Sequence, residues 1–402
     1  MPEIKEVITL SINGEKQDDL IPDLTRIEVE EDVDAASVFR VELALAVNSD
    51  GSWRYLDEDR FAVWNRLSIE AGYPDSGVET LIDGYITHVN VHLSNDPEES
   101  TLEISGMDAS ALMDLEEKQL AWTNKKDSEI AQQIFLSYGL SYEVEDTVVR
   151  PQESVATVLQ TESDIRFLRR LAARNGFECT IQGSKGYFRS PTLDLPPQKI
   201  LAIQFGAETN LTSLRFRLDG TPATDLEIRR IDPFEKQTVK EMLTEDPRRK
   251  LGEKSLSDLQ SSAKEGHLLL KNQIAASSQE MRGRLREAYR GADRFVHVEG
   301  EIDSRPYGAV LRSKRLVTIK GAGAQWSGLY YVTRVRHLFT LDGYSQHFEG
   351  ARNGVGLTGD EAFDAAALPI AIALPGLGGS TGVASGNRVL PAQQEGSTIQ
   401  GS

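Results

Sequence analysis

A helix, a glycine stop and a strand can be read directly from residues 160–181, QTESDIRFLRRLAARNGFECTI. Thr161 or Ser163 is suited to cap the helix, because acidic residues follow in the first turn and face the positive end of the helix dipole. Asn175 and Gly176 supply a left-handed stop. The apolar residues recur every three to four positions and predict one buried face. The residues that define this unit are Asp164, Ile165, Phe167, Leu168, Leu171 and Gly176.

The strand that follows this helix has an alternating pattern. Phe177, Cys179 and Ile181 are separated by polar residues, which is typical of a half-buried strand. We therefore expect the helix to dock on a sheet. Cys179 is the only cysteine, so no intrachain disulfide can form, and its position predicts a buried small hydrophobic residue.

Both flanks of this central unit are rich in short strand patterns. Period-two alternation recurs through residues 4–105 and again through 206–356, where a polar stretch with a helical pattern interrupts it. Gly, Ser, Ala and Pro dominate the end of the chain. We therefore predict a mainly β protein with an α+β insert: a first β-barrel domain at 1–108, a small α+β domain at 109–205, a second β-barrel domain at 206–356 with a helical insertion at 255–291, and a flexible tail at 357–402.

The two β regions contain similar strings. RLSIEAG at 66–72 aligns with RLVTIKG at 315–321, and a glycine then opens a second strand in each, GYITHV at 84–89 and GLYYVTRV at 328–335. This repeat predicts that the two β-barrel domains are duplicates, with Gly84 and Gly328 as counterparts. The residues that mark the duplicated strands are Gly84, Tyr85, Gly328 and Tyr330.

The charge of the chain is unevenly distributed. The formal net charge is -18, and residues 1–150 hold 33 acidic against 11 basic side chains, so the remainder has a small basic excess. An acidic surface repels nucleic acid, and no specific nucleic-acid binding is predicted. No apolar run approaches the roughly 20 residues of a membrane span, and the N-terminus lacks the pattern of a signal peptide, which predicts a protein made in the cytoplasm.

The candidate chemical residues have ordinary explanations. His88 and His92 lie four apart on a strand, about 13 Å from each other, which is too far for one metal ion. His337 and His347 flank a hairpin turn and are placed to meet across strands, but no third ligand accompanies them. The adjacent acids Glu116-Glu117 and Asp57-Asp59 are typical of a solvated surface. We predict no enzyme activity, no cofactor and no metal site.

A basic cluster stands out in the helical stretch of the second β region. Such a cluster is suited either to grip phosphate or, as we expect, to face the acidic side chains of a partner, such as the acidic half of a neighbouring copy. The members of this cluster are Arg282, Arg284, Arg286, Arg290 and Arg294.

Three segments carry a resemblance to a known family. The run ESDIRFLRRLAARNGF resembles a signature of phage late control gene D proteins and of the related hubs of contractile injection systems. The segments DSEIAQQIFLSYGL at 127–140 and SGLYYVTRVRHLFTLDGYSQHFEGARN at 327–353 are similar to the same family and occur in the same order. The resemblance implies two tube-type β-barrels and a structural role as the central baseplate hub.

The resemblance also implies partners. A hub of this kind is a homotrimer that joins a sixfold inner tube to a threefold spike and contacts other baseplate components. Since no β-helical needle follows the second β region, the spike is expected to be a separate protein. After assembly in the cytoplasm the chain is expected to become part of the tail or injection particle. The alternative interpretation is a tail-associated cell-wall hydrolase or glycan-binding module.

Overall fold

The computed structural model describes residues 6–74, 76–96, 99–151, 157–231, 236–244, 248–261, 267–270, 278–359, 361 and 363. Nearly all of the predicted tail at 357–402 therefore lies outside the described residues. In the described part, no helix combines the length and the apolar character needed to cross a membrane.

The N-terminal region consists of strands whose side chains alternate between buried and exposed, as their period-two sequence predicts. The runs that the sequence shows at 80–82 and 85–93 are joined in one long strand, because Asp83 and Gly84 between them also pair, with Ser68 and Leu67 of the neighbouring strand. The strands are β1 (Val7–Ile12), β2 (Glu15–Lys16), β3 (Leu24–Asp32), β4 (Val38–Ala44), β5 (Arg66–Tyr73), β6 (Gly77–His92) and β7 (Thr101–Asp108).

The middle region mixes helices with short strands. A three-stranded sheet and a two-stranded sheet pack against its two longer helices. Its elements are α1 (Ser110–Met113), β8 (Leu120–Trp122), α2 (Asp127–Ser137), β9 (Ser141–Val144), β10 (Val158–Gln160), α3 (Asp164–Asn175), β11 (Glu178–Gln182) and β12 (Lys185–Arg189).

The C-terminal region returns to strands. Its elements are β13 (Gln198–Ala202), β14 (Leu211–Leu218), β15 (Asp225–Ile231), β16 (Thr238–Leu243), α4 (Leu256–Gln260), β17 (His267–Leu270), α5 (Ser278–Asp293), β18 (Val296–Asp303), α6 (Ser304–Tyr307), β19 (Leu316–Lys320), α7 (Gly323–Trp326), β20 (Gly328–Thr340) and β21 (Gly343–Arg352).

The predicted helical insertion at 255–291 is only partly helical. The strand β17 separates α4 from α5 and pairs in parallel with β15, where Leu226 lies opposite Leu268 and Ile228 opposite Leu270. The strands β16, β15 and β17 form a small sheet of their own. The apolar run at 268–270 satisfies a helical pattern and a strand pattern equally, and pairing with β15 decides between them.

One large, mostly antiparallel sheet runs through both β regions and confirms the mainly β fold with an α+β insert. Its strand order is β14-β18-β21-β20-β3-β4-β7-β6-β5-β1-β2, with β19 beside β20 and β13 beside β19. The two halves join where β20 pairs with β3 over seven residue pairs, from Arg334–Asp32 to Thr340–Arg26. The two β regions therefore form one continuous hydrogen-bonded sheet.

Three large hydrophobic clusters follow the three regions. The first is built on β3 to β7, the second on α2, α3 and the small sheets, and the third on β18 to β21 with α5. Phe339 and Tyr344, from β20 and β21, belong to the first cluster. The joint between β3 and β20 is thus supported by shared core packing as well as by backbone hydrogen bonds.

Candidate assembly surfaces

The joint between β3 and β20 connects the N-terminal half of the sheet to its C-terminal half. Val29 lies opposite His337 and Glu30 opposite Arg336. On the polar face of the sheet, Arg334 forms an ion pair with Glu30 at 2.6 Å. Charged side chains of opposite sign therefore cross the joint on one face, where exposed cross-strand pairs each contribute up to about 1 kcal/mol.

The opposite face of this joint buries an ion pair. Glu31 on β3 lies 2.6 Å from Arg312, and its other oxygen accepts hydrogen bonds from the backbone and hydroxyl of Ser313 at 3.1 and 3.0 Å. Burial disfavours the charged carboxylate, but the guanidinium and these donors outweigh it and hold the pKa of Glu31 below its usual value. A buried carboxylate of this kind is stable only beside its own partners.

His337 is fully buried beside this pair. Its Nδ1 shares a hydrogen bond with the hydroxyl of Tyr344 at 2.7 Å, and its Nε2 lies 3.9 Å from Glu31. Burial lowers the pKa of His337 to about 4, which keeps the ring neutral. The expectation that His337 and His347 meet across strands is wrong, because Gln346 lies opposite His337 and the neighbouring His347 projects from the other face.

The polar face of the sheet is lined with paired charges. Arg215 and Glu299 are 2.8 Å apart, and Arg336 and Glu28 are 2.5 Å apart. A hollow of about 420 Å³ on this face is lined by residues that include Glu30, Arg215, Glu299, Arg334, His347 and Glu349.

One open strand edge lies on β6. The strand β5 pairs with β6 only as far as Tyr85, and from His88 onward β6 pairs with β7 alone within the described residues. Val89 and Val91 lie opposite the buried core residues of β7, yet they are 37% and 48% exposed, and Leu93 is 49% exposed. The core face of the sheet thus reaches this edge without a covering strand.

Another open edge lies on β14 at the far end of the sheet. Within the described residues β14 pairs only with β18. Leu214, Phe216 and Leu218 pack partly against the third cluster, whereas the intervening Arg215 and Arg217 are exposed. Unpaired edges are templates for pairing with another strand, so both are candidate contact surfaces.

The two halves of the sheet repeat one strand order. The first half runs β3-β4-β7-β6-β5-β1 and the second runs β14-β18-β21-β20-β19-β13, in the same chain order. The first four contacts of each series are antiparallel. The fifth differs, since β1 is antiparallel to β5 but β13 is parallel to β19.

A register shift locates the counterparts within this repeat. It falls between Ile86 and His88 on β6 and between Val332 and Arg334 on β20. When the two register shifts are aligned, the counterpart of Gly84 is Tyr330 and not Gly328.

The four residues that mark the duplicated strands lie in different surroundings. A Cβ at Gly84 would meet the carbonyl oxygen of Met107 at 2.2 Å, whereas Gly328 has a φ of +129°. Tyr85 packs partly against the second cluster, and Tyr330 is fully buried in the third cluster.

The signature residues of α3 hold the middle region together. Ile165, Phe167, Leu168 and Leu171 are buried in the second cluster, and Gly176 ends the helix in the left-handed conformation with a φ of 72°. Asp164 is also buried, and its carboxylate accepts hydrogen bonds from Lys118, Tyr138 and Gln160 at 2.5, 2.8 and 2.7 Å. These residues position α3; they do not form an exposed site.

Two local expectations at α3 need correction. Ser163 occupies the cap position, but its hydroxyl donates to Asp114 and makes no cap hydrogen bond. The strand β11 is buried on both faces, because Glu178 and Thr180 are as enclosed as Cys179. Burial raises the pKa of the Cys179 thiol to about 12, which makes it an unreactive core residue.

The arginines of α5, and Arg294 directly after its end, mostly bind acids of the same chain, which corrects the expectation that they face a partner. Arg282 pairs with Glu241 at 2.9 Å, Arg290 with Asp34 at 2.8 Å, and Arg294 with Glu178 at 3.1 Å. They fasten α5 to the three regions. The sequence could not indicate this, because the acids come from distant segments.

Among the residues that the structure describes, no group of three or more His, Cys, Asp or Glu side chains is arranged to hold a metal ion. His88 and His92 are exposed along the open edge of β6.

Comparisons with solved structures show the fold. The fold is shared with a 43 kDa tail protein of prophage MuSo2 from Shewanella oneidensis, at a TM-score of 0.64 and 16% identity over 87% of this chain and 99% of that chain. A tail protein from Neisseria meningitidis MC58 matches at 0.57 and 11% identity, over 87% and 97%. An E. coli component of the type VI secretion system matches at 0.51 and 12% identity, over 87% and 76%.

The family follows from the sequence. The chain belongs to the family described as the Alg8 N-terminal domain, whose model matches residues 5–340. No protein of curated function matches the chain.

Proposed function

We propose that this protein is the central hub of a contractile tail or injection-system baseplate, similar to late control gene D proteins. Three copies form a ring that joins a sixfold inner tube to a threefold spike. The fold shared with phage tail proteins and with a type VI secretion component supports this role. The observation that carries it is the repeated strand order within one continuous sheet.

The repeat solves a problem of symmetry. A chain with two similar half-sheets, assembled three times around an axis, presents six similar units in alternating order. One end of such a ring fits a sixfold tube, and the non-repeated parts of the chain remain threefold and fit a spike. The parts of the chain that are not repeated, which include the α+β region, are then the parts that meet the spike.

The domain limits in this proposal come from the sequence and agree with the hydrophobic clusters except at β13, whose Leu201 lies in the third cluster and whose partner is β19. A first β domain at 1–108 and a second at 206–356 flank an α+β domain at 109–205, with a tail at 357–402. The ring is head to tail, so that the acidic first half of one copy meets the more basic second half of the next. Such a contact weakens as salt increases.

Native mass spectrometry of the purified chain tests this function. A dominant species of three chains is expected at low salt, with dissociation at high salt. A stable dimer, or a chain that stays single even with the tube and spike proteins present, contradicts the hub.

The alternative of a cell-wall hydrolase makes an opposite prediction. In our proposal the chain has a structural role, and the acid pairs Glu116-Glu117 and Asp57-Asp59 have no catalytic task. A peptidoglycan zymogram separates the two functions. Clearing by the purified chain that disappears on changing one carboxylate to alanine would favour the hydrolase.

A further inference from the structure

We propose that β14 of one copy pairs antiparallel with the open edge of β6 in the next copy, and that this strand joint closes the ring. The inference rests on the proposed function, because it names the surfaces through which the copies meet. Both edges are open within the described residues, and they lie on opposite halves of the sheet. A head-to-tail contact needs two different surfaces of this kind.

The joint inside the chain supplies the template. In the repeat, β6 corresponds to β20 and β14 corresponds to β3, and β20 and β3 are already paired within one copy. The open part of β6 begins at His88, the counterpart of Arg334, where the pairing between β20 and β3 also begins. The missing neighbour of β6 is therefore the counterpart of β3, which is β14.

Transferring the register gives defined pairs. The aligned register shifts make His337 the counterpart of Val91 in the repeat. Following the pairing from strand to strand makes Val29 the counterpart of Phe216. Since His337 lies opposite Val29, Val91 is placed opposite Phe216 of the next copy. The remaining pairs in this register are Val89 with Leu218, Asn90 with Arg217, His92 with Arg215, and Leu93 with Leu214.

Both faces of the sheet match in this register. Val89 and Val91 on the core face of β6 are exposed, as is Leu93 just after the end of the strand, and the three residues placed opposite them are apolar and only partly covered. A shift by one residue would place arginines against the valines, which is strongly unfavourable where the arginines become buried. The pattern therefore selects this register over its neighbours.

The polar face is also complementary. Asn90 donates to Glu103 on β7 at 3.0 Å, and Arg217 of the next copy arrives directly opposite Asn90. An arginine thereby enters the acidic first half, as Arg334 and Arg336 do at the joint within the chain.

The buried Glu31 distinguishes the two joints. In the register above, Glu31 on β3 is the counterpart of Leu218 on β14. Within each copy β3 is already paired on both sides, with β4 and with β20, and Glu31 is fixed there by Arg312. To reach β6 of another copy, β3 would have to leave β20, which would disturb this buried ion pair, so β6 accepts β14 and rejects β3.

Engineered cysteines test the register. The double variants Asn90→Cys/Arg217→Cys and Val91→Cys/Phe216→Cys place thiols at opposite positions on the two faces, so both types of opposite pair are sampled. Asn90→Cys/Ser213→Cys is the control, since Ser213 lies four residues, about 13 Å, along β14 from Arg217. The buried Cys179 contributes no background. Oxidation of the test variants is expected to yield covalent series that end at three chains.

A charge placed at the edge gives an independent test. Val91→Glu is expected to abolish association and leave the circular dichroism melt unchanged. Val78→Glu is the matched control on the same strand, since Val78 is 50% exposed against 48% for Val91, but it lies where β5 already pairs with β6.

The outcomes separate this inference from the proposed function. Three chains by native mass without crosslinks above the control would overturn the strand joint and leave the hub standing. Crosslinked series longer than three would retain the joint and refute the closed ring. A chain that stays single in concentrated solution, with tube and spike present, would overturn both.

Discussion

The buried His337 makes the stability of the chain depend on pH in a predictable way. Burial lowers its pKa to about 4, against a usual value of 6.5 that applies in the unfolded chain. Between these values the unfolded chain binds a proton and the folded chain does not. The stabilisation is therefore complete above pH 6.5 and is lost as the pH falls towards 4.

The magnitude follows from the size of this shift. Each pH unit below 6.5 costs about 1.4 kcal/mol, so the free energy of unfolding should fall by about 2 kcal/mol between pH 7 and pH 5. His337→Asn removes the titration and retains a polar group for the hydroxyl of Tyr344. The pKa of Glu31 is lowered from 4.5, so Glu31 contributes little in this range.

Urea unfolding followed by circular dichroism at pH 7 and pH 5 measures the difference. We expect the wild-type chain to lose about 2 kcal/mol more than the variant on acidification. The reasoning is refuted if the two chains show the same pH dependence within about 0.5 kcal/mol, the usual scatter of independent effects.

Two further substitutions test the packing of the helices. Leu168→Ala should destabilise the chain by about 2–5 kcal/mol, because Leu168 is fully buried. Arg166→Ala removes only an exposed ion pair and should cost about 1 kcal/mol or less. Equal losses of stability in thermal melts would mean that the buried face of α3 is assigned wrongly. Gly283→Ala should lower the melting temperature although alanine favours helices, since the added Cβ would lie 2.2 Å from the carbonyl oxygen of Arg174. The control Gly220→Ala has open space around the added Cβ and should leave the melting temperature unchanged. An unchanged melting temperature for Gly283→Ala would disprove the close contact.

Local patterns in the sequence predict local structure well in this chain. Helix α3 begins after Ser163 and ends at Gly176, because the cap position, the apolar spacing and the glycine stop agree with one another. The alternating strands of the first region are found close to their predicted positions for the same reason. The exception is β17, whose short apolar run carries no periodicity that separates a strand from a helix.

Long-range pairing could not be read from the sequence. The buried partners of Glu31 come from residues 312, 313 and 337, and nothing local to Glu31 marks it as a core carboxylate. The acidic partners of the arginines in α5 cannot be predicted for the same reason, since Arg290 meets Asp34 only after the chain has folded. The open edges of β6 and β14 likewise depend on the strand order of the whole sheet.

The most direct test of the hub is an electron cryo-microscopy map of the particle that contains this chain. The account predicts three copies around the axis, between the inner tube and the spike, with six half-sheets alternating around the channel and β14 of each copy beside β6 of the next. Six copies in a true sixfold ring, or density for this chain in the sheath or the fibres, would contradict it.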